Sequence, residues 1–244
     1  MQSRPPPIDS DGYSEWKGWS ADRGFGQQCK GDASYFTREL RDATRSATPV
    51  KDILEIGFGS GSFLSYGRSR GWNVTGTELL PEQVAAGRAA GFDVHLSGHL
   101  SELADHSFDL IAAFDVLEHI PESEAVAFLS TLAAKLRPEG TLFLRYPNAD
   151  TWLGNAYQNG DPTHVSAIGY YKVEYLASRA ALDIIAYRAS TRRGFATSVI
   201  HGLHAATAGT LIRVGAVFRK MLYFPGTPLV LSSSNVVCVL GPRR

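Results

Sequence analysis

The sequence predicts an α/β fold: a mostly parallel sheet, doubly wound, with helices on both faces. Three observations predict it. Short apolar runs alternate with helical patterns between residues 50 and 146. A glycine-rich turn ends the first of these runs. The apolar share, 44% of 244 residues, is enough for one full hydrophobic core and excludes global disorder. The length suits one domain with a cap rather than several independent domains.

The elements follow in order. Asp32 caps a helix to about Ser46, with Phe36, Leu40 and Ala43 on one face. Val50–Ile56 is an apolar strand ending in glycines, and Ser62–Arg70 a helix closed by Gly71. Trp72–Thr77 is the second strand. Pro81 opens a helix over Glu82–Ala90 that Gly91 stops. Phe92–Leu96 and Phe108–Phe114 are the third and fourth strands. Glu122–Arg137 is amphipathic, with Val126, Leu129, Leu132, Ala133 and Leu136 as its stripe. Its acids lie at the start and its bases at the end, as the helix dipole favours. Pro138-Glu-Gly140 breaks it before a fifth strand, Thr141–Tyr146, and a helix is expected over Val173–Ala180 with Tyr170 and Tyr171 at its start.

Charge and cysteine content narrow the function. Lys+Arg and Asp+Glu are 24 each, which argues against a nucleic-acid binder. Cys29 and Cys238 are too few for a disulfide framework. Met1–Trp16 is polar and Pro-rich without an apolar core, so no secretory signal is read and a cytoplasmic protein is expected. The neutral total hides an asymmetry: residues 184–244 contain eight Lys/Arg and no Asp or Glu, a balance of +8 against −8 in the first 183. Such a split points to a surface that meets something anionic.

Ligands of parallel sheets bind at the carboxyl ends of the strands, so the chemistry belongs in the loops there. The first such loop reads Glu55-Ile-Gly57-Phe58-Gly59-Ser-Gly61-Ser62. Its glycines allow a tight turn and close approach of a ligand to the backbone, with the next helix directing free N–H groups at it. The dinucleotide pattern would place the third glycine one position later. Glu55, two positions before the first glycine, would repel a pyrophosphate. Both departures favour a ligand with a cationic or zwitterionic end. Glu78, ending the second strand, can accept hydrogen bonds from a ribose diol. Asp115-Val-Leu-Glu118-His119 forms a polar cluster after the fourth strand.

These segments, with Ser107–Ile111 and Leu136–Leu142, resemble class I S-adenosylmethionine-dependent methyltransferases in order and spacing over residues 50–146. The nearest branch holds ubiquinone-pathway O-methyltransferases and methyltransferases of bacterial polysaccharide clusters. Arg145-Tyr-Pro-Asn148 and Gly160-Asp-Pro-Thr-His164 are similar to the second group. The resemblance implies a Rossmann-like sheet of seven strands, the last antiparallel, with Leu182–Ala189 and Asn235–Leu240 as the sixth and seventh. It implies S-adenosyl-L-methionine as cofactor. Gly57, Phe58, Gly59 and Gly61 would line its methionine part, and Phe114 and Asp115 would face that end. Glu78 would hold the ribose, Leu79 would touch the adenine, and a residue near Leu100 would border it by position alone. Glu55 would orient the loop or the amino group, or serve only as a buried capping acid. Asp109 is read as structural.

A hydroxyl acceptor needs a base beside the methyl group. His164, with Asp161 to orient it, is the preferred base, and His119 is second; the plain alternative for His119 is helix capping. Glu118, His119, Asp161 and His164 would share a metal only if their loops met, and no metal is expected. Residues 1–46 are read as an arm and helix covering the site, and 47–244 as the methyltransferase domain. An insertion at about 190–234 holds one or two helices over Phe195–Phe224. It is either a cap on the acceptor pocket or a basic amphipathic element that touches a partner subunit or gives peripheral contact with anionic membrane through 195–224. The expected activity is O-methylation of a sugar hydroxyl in a cell-surface glycan or its precursor. The alternatives are a phenol or quinol acceptor, and a non-catalytic cofactor-binding protein.

Overall fold

The computed structural model describes residues 24–45, 49–192 and 197–243. Tyr13, Trp16 and Trp19 of the expected arm lie outside them. Seven strands form one sheet: β1 Asp52–Ile56, β2 Asn73–Glu78, β3 Asp93–Leu96, β4 Phe108–Phe114, β5 Leu136–Pro147, β6 Leu182–Ala189 and β7 Asn235–Pro242. Their order is β3-β2-β1-β4-β5-β7-β6. All neighbouring pairs are parallel except those of β7, which runs antiparallel to β5 and β6. The chain therefore reverses direction of travel between β1 and β4, and the crevice above their carboxyl ends is the natural ligand site.

The helices are α1 Asp32–Glu39, α2 Ser62–Ser69, α3 Pro81–Ala89, α4 Glu122–Lys135, α5 Trp152–Gln158, α6 Tyr170–Arg179, α7 Val199–Ala206 and α8 Ala208–Tyr223. They cover both sheet faces. On one face α4 and α6 bury Leu129, Leu132, Val173 and Ala177 against Leu54, Ile111 and Leu142. On the other, Tyr35 and Phe36 of α1 meet Phe63, Tyr66 and Phe143. Each fully buried leucine contributes about 1.5–3 kcal/mol, so truncating Leu129 or Leu132 would cost about 2–5 kcal/mol.

Two boundaries differ from expectation by more than a turn of helix or a few strand residues. The first helix ends at Glu39, and residues 40–44 continue as turns. The Arg188 guanidinium from β6 binds the carbonyls of Arg38 and Glu39, the acceptors that the next helical N–H groups would need. The fifth strand starts at Leu136, five residues early. Pro138 forces the residue before it out of helical geometry, and Leu136 instead pairs with Phe108 ahead of a register shift. The short α5 was not anticipated; Thr151 caps it, accepting the N–H of Leu153.

Asp109 is structural, as read. Its carboxylate accepts the N–H groups of Lys51 and Asp52 and binds Arg137, tying β4 to the start of β1.

Candidate cofactor and acceptor site

The glycine loop between β1 and α2 turns only because of its composition. Gly57, Gly59 and Gly61 all take positive φ, at 68°, 50° and 75°. Gly61 also stands where α2 would carry a capping side chain and has none to offer. A carboxylate from the strand beneath supports the loop instead. Buried Glu55 accepts the N–H of Leu64 in the first turn of α2. Burial first, and then the nearby Glu78, push the Glu55 carboxyl well above the usual carboxylate range. Its second oxygen has no partner among the described residues. Glu55 thus sits as a buried acid bonded to the first turn of α2.

Glu78 ends β2 directly beside this turn. Its Oε2 accepts the N–H of Gly59 at 2.9 Å, and its Oε1 the N–H of Leu79 at 2.6 Å. Oε1 also accepts the N–H of Leu80 at 3.4 Å, so of the about four acceptor positions of a carboxylate one is left for a ribose hydroxyl. Leu79 follows with 65% of its surface exposed, a flat apolar flank for a purine. Leu100 sits half-buried against the core after β3. The residues present therefore fit an adenosine carrying an amino acid end: a backbone turn, an acid for the ribose, an apolar flank and an acid beneath the turn.

Two cofactor candidates, Phe58 and Phe114, place their rings among other apolar side chains. Phe58 is buried under Gly76 in a core cluster, so only its backbone faces the turn. Phe114 packs its ring among Phe36, Phe63 and Phe143. Asp115 holds the strained position after it, at φ 54°, and its N–H donates to the carbonyl of Arg145. Residues 24–31 lie on the same loop: Gly26 donates to the Ser60 carbonyl, and Phe25 packs edge-on against Phe58.

Beyond the carboxyl ends of β4 and β5 lies a cavity of about 490 Å³. Asp115, Glu118, Arg145, Asp161, His164 and Asn235 supply its polar lining, and Pro147 and Tyr157 the apolar part. The described lining includes no residue of 190–234. Arg145 closes one wall, paired with Asp115 and donating to the Tyr35 hydroxyl at 2.5 Å. Burial opposes the charge of Arg145, but Asp115 and then Tyr35 more than offset it and hold the guanidinium protonated.

The loops after β4 and β5 meet at the opposite wall. The backbone carbonyl of Glu118 accepts the N–H groups of Val165 and Ser166, which fixes one loop on the other. The His164 side chain is 7% exposed, with Nε2 at 3.5 Å from Asp161 Oδ2 and 3.8 Å from Glu118 Oε1. Neither of its ring nitrogens makes a hydrogen bond among the described residues. The His119 ring stands edge-on at 4.6 Å between centroids. Thr163 holds it, with the hydroxyl 2.9 Å from Nδ1, and also binds Asp161 at 2.6 Å. Thr163 is the bridge that sequence reasoning missed; its place between Asp161 and His164 was the available signal. Ligand atoms of Glu118, His119 and His164 lie within 4.8 Å of one another, so this group could also hold a divalent ion.

Comparison with known proteins bears on this arrangement. A family model described as "Methyltransferase domain" matches residues 32–187. The ubiquinone biosynthesis O-methyltransferase of Xanthomonas campestris is 33% identical over 111 residues, covering 42% of this chain and 45% of that protein. An uncharacterized methyltransferase of a Mycobacterium species is 31% identical over 127 residues, covering 50% and 48%. The chain thus spans about half the length of the curated relatives it matches. Among solved structures, a SAM-dependent methyltransferase from Archaeoglobus fulgidus superposes with a TM-score of 0.63 at 15% identity, over 86% of this chain and 92% of the other. A TehB-like SAM-dependent methyltransferase from Corynebacterium glutamicum gives 0.58 at 18%, over 97% and 100%.

Proposed function

The chain belongs to the class I S-adenosylmethionine-dependent methyltransferases, and from that premise we propose that it methylates a hydroxyl oxygen, on a sugar of a cell-surface glycan or its precursor. The observation that carries the reading is the cavity beyond the carboxyl ends of β4 and β5, lined by three carboxylates, an arginine and His164. Such a wall of paired polar groups suits a polyhydroxylated acceptor better than a greasy ring.

The cofactor, when bound, supplies an electrophilic methyl group on a sulfonium, and needs no covalent help from the protein. The chain's own residues do the rest. Gly57, Gly59, Gly61, Glu78 and Leu79 hold the cofactor, with Glu55 beneath. Asp115 and Arg145 orient the acceptor at the near wall. His164 takes the hydroxyl proton, and Asp161 stabilises the imidazolium that results. His119, held by Thr163, is the second candidate for that proton. No metal is needed in this scheme.

A second reading, a phenol or quinol acceptor, is favoured by the names of the ubiquinone-pathway relatives and by Tyr157 and Pro147 in the cavity wall. The third, binding of the cofactor without transfer, follows if no acceptor takes up label while S-adenosylmethionine still binds. The proposed location is the cytoplasm, with peripheral contact between residues 195–224 and an anionic membrane. Radiolabelled methyl transfer to parallel panels of sugars and phenols decides between acceptors. Label in sugars supports the first reading; label in phenols alone replaces it with the second.

A further inference from the structure

We infer that the outward face of α8, extended by α7, is a docking surface for an anionic lipid bilayer, and that the helices reach it as a paired amphipathic element. This specifies the membrane contact of the proposed function and rests on that reading only for the acceptor.

Leu211, Val214, Phe218, Met221 and Leu222 recur at i, i+3, i+7, i+10 and i+11 along α8, which is one face of a helix. All of them are exposed, Leu211 and Met221 at 74% and 72%. Ala216, on the opposite side, is buried against Leu229 and Leu231. The helix is therefore anchored by its small residues and turns its large apolar ones outward. The preceding helix adds Val199, Ile200 and Leu203, also exposed. No helix among the described residues is long and apolar enough to cross a membrane. An element of this kind lies in the interface.

Charge selects the occupant. Arg213 and Arg219 flank the apolar face, while Lys220 lies on the anchored side with Ala216 and donates to the Leu229 carbonyl; no acid stands anywhere between 184 and 244. A second copy docked face to face would set these cations against each other. Anionic headgroups would be attracted while the apolar side chains enter the acyl boundary. The location suits the chemistry. The insertion leaves the sheet at Ala189 and returns at Asn235, which lines the acceptor cavity. A sugar borne on a membrane lipid would meet the cavity and this surface on the same end of the sheet. The segment also lies outside residues 32–187, the part matched by the family.

Flotation of the whole protein with vesicles tests this, using phosphatidylcholine alone and phosphatidylcholine mixed with phosphatidylglycerol. The expected result is binding to the mixed vesicles only, about tenfold or more weaker for Arg213→Gln/Arg219→Gln and at least as weak for Phe218→Ser/Met221→Ser. Circular dichroism and affinity for S-adenosylmethionine should stay unchanged in both variants. Equal binding to both vesicle types, or binding to neither, overturns the inference. So does a solution dimer that Phe218→Ser/Met221→Ser dissolves, because a second copy is then the occupant. A protein that binds mixed vesicles but not S-adenosylmethionine keeps this inference and loses the proposed function.

Discussion

Glu78 accepts the backbone N–H of Gly59 at 2.9 Å, so the acid assigned to the ribose also fixes the glycine turn. One carboxylate couples two parts of the site. It sets the height of the turn above the sheet and, with Gly59, Leu79 and Leu80 donating to it, keeps one acceptor position in reserve. A charge-assisted bond of this kind contributes about 1.5–3 kcal/mol. Part of the turn's geometry is therefore built in before any ligand arrives.

Gly61 and Gly71 have nearly the same φ, 75° and 77°, but different surroundings. A side chain at Gly61 would run into the Phe25 ring, whereas Gly71 has open space around it. Gly71→Ala should cost about 1 kcal/mol, from backbone strain alone. Gly61→Ala should cost about 2 kcal/mol or more and should also weaken cofactor binding. Urea denaturation of both variants checks this; equal losses would mean that Phe25 moves aside freely.

Glu55 gives a pH dependence of definite sign. Its folded carboxyl is held well above the ordinary range, by burial and then by Glu78. Below the ordinary carboxylate pKa both states keep the proton. Above it the unfolded chain ionises first, and stability falls with rising pH until the folded group ionises too. One proton gives a slope of about 1.4 kcal/mol per pH unit in that window. Glu55→Gln should flatten this part of the profile and be relatively more stable at pH 8 than at pH 5. Parallel slopes for the two proteins in urea titrations would contradict the assignment.

How much of this was legible beforehand follows from range. The alternation of strands, the glycine turn and Glu78 are written in local spacing, and the sheet followed from them. The early end of α1 was not legible, because its cause is Arg188, about 150 residues away. The early start of β5 was half legible: Pro138 marked a break, but pairing of Leu136 with Phe108 is a tertiary choice. Asp161 and His164 were found because histidine and an acid stood close in a loop. Their meeting with Glu118 and His119 depended on two loops, with Glu118 and Val165 47 residues apart, binding each other through backbone groups, which no local pattern encodes. Tyr35 beside Arg145 was invisible for the same reason.

His164→Ala should lower kcat by about 10² to 10⁴ with the affinity for S-adenosylmethionine unchanged. Single-turnover transfer, with a parallel binding titration, separates the two. Full turnover in the variant would pass the proton to His119 or leave the protein without a catalytic role for this wall.

The grouping of Glu118, His119 and His164 allows a metal, but the proposed mechanism has no use for one. Dialysis against EDTA should therefore leave turnover within about twofold, a loss too small to reflect a missing Lewis acid. A large loss, restored by adding back magnesium or manganese, would make His164 a ligand rather than a base.

The account rests on the glycine turn and Glu78 holding S-adenosylmethionine, and calorimetric titration measures that directly. Wild type should bind it at one site per chain and bind NAD far more weakly, and Glu78→Ala should weaken the first affinity by about 100-fold, or roughly 3 kcal/mol. Heat with NAD but none with S-adenosylmethionine, or equal affinity in wild type and Glu78→Ala, would contradict it.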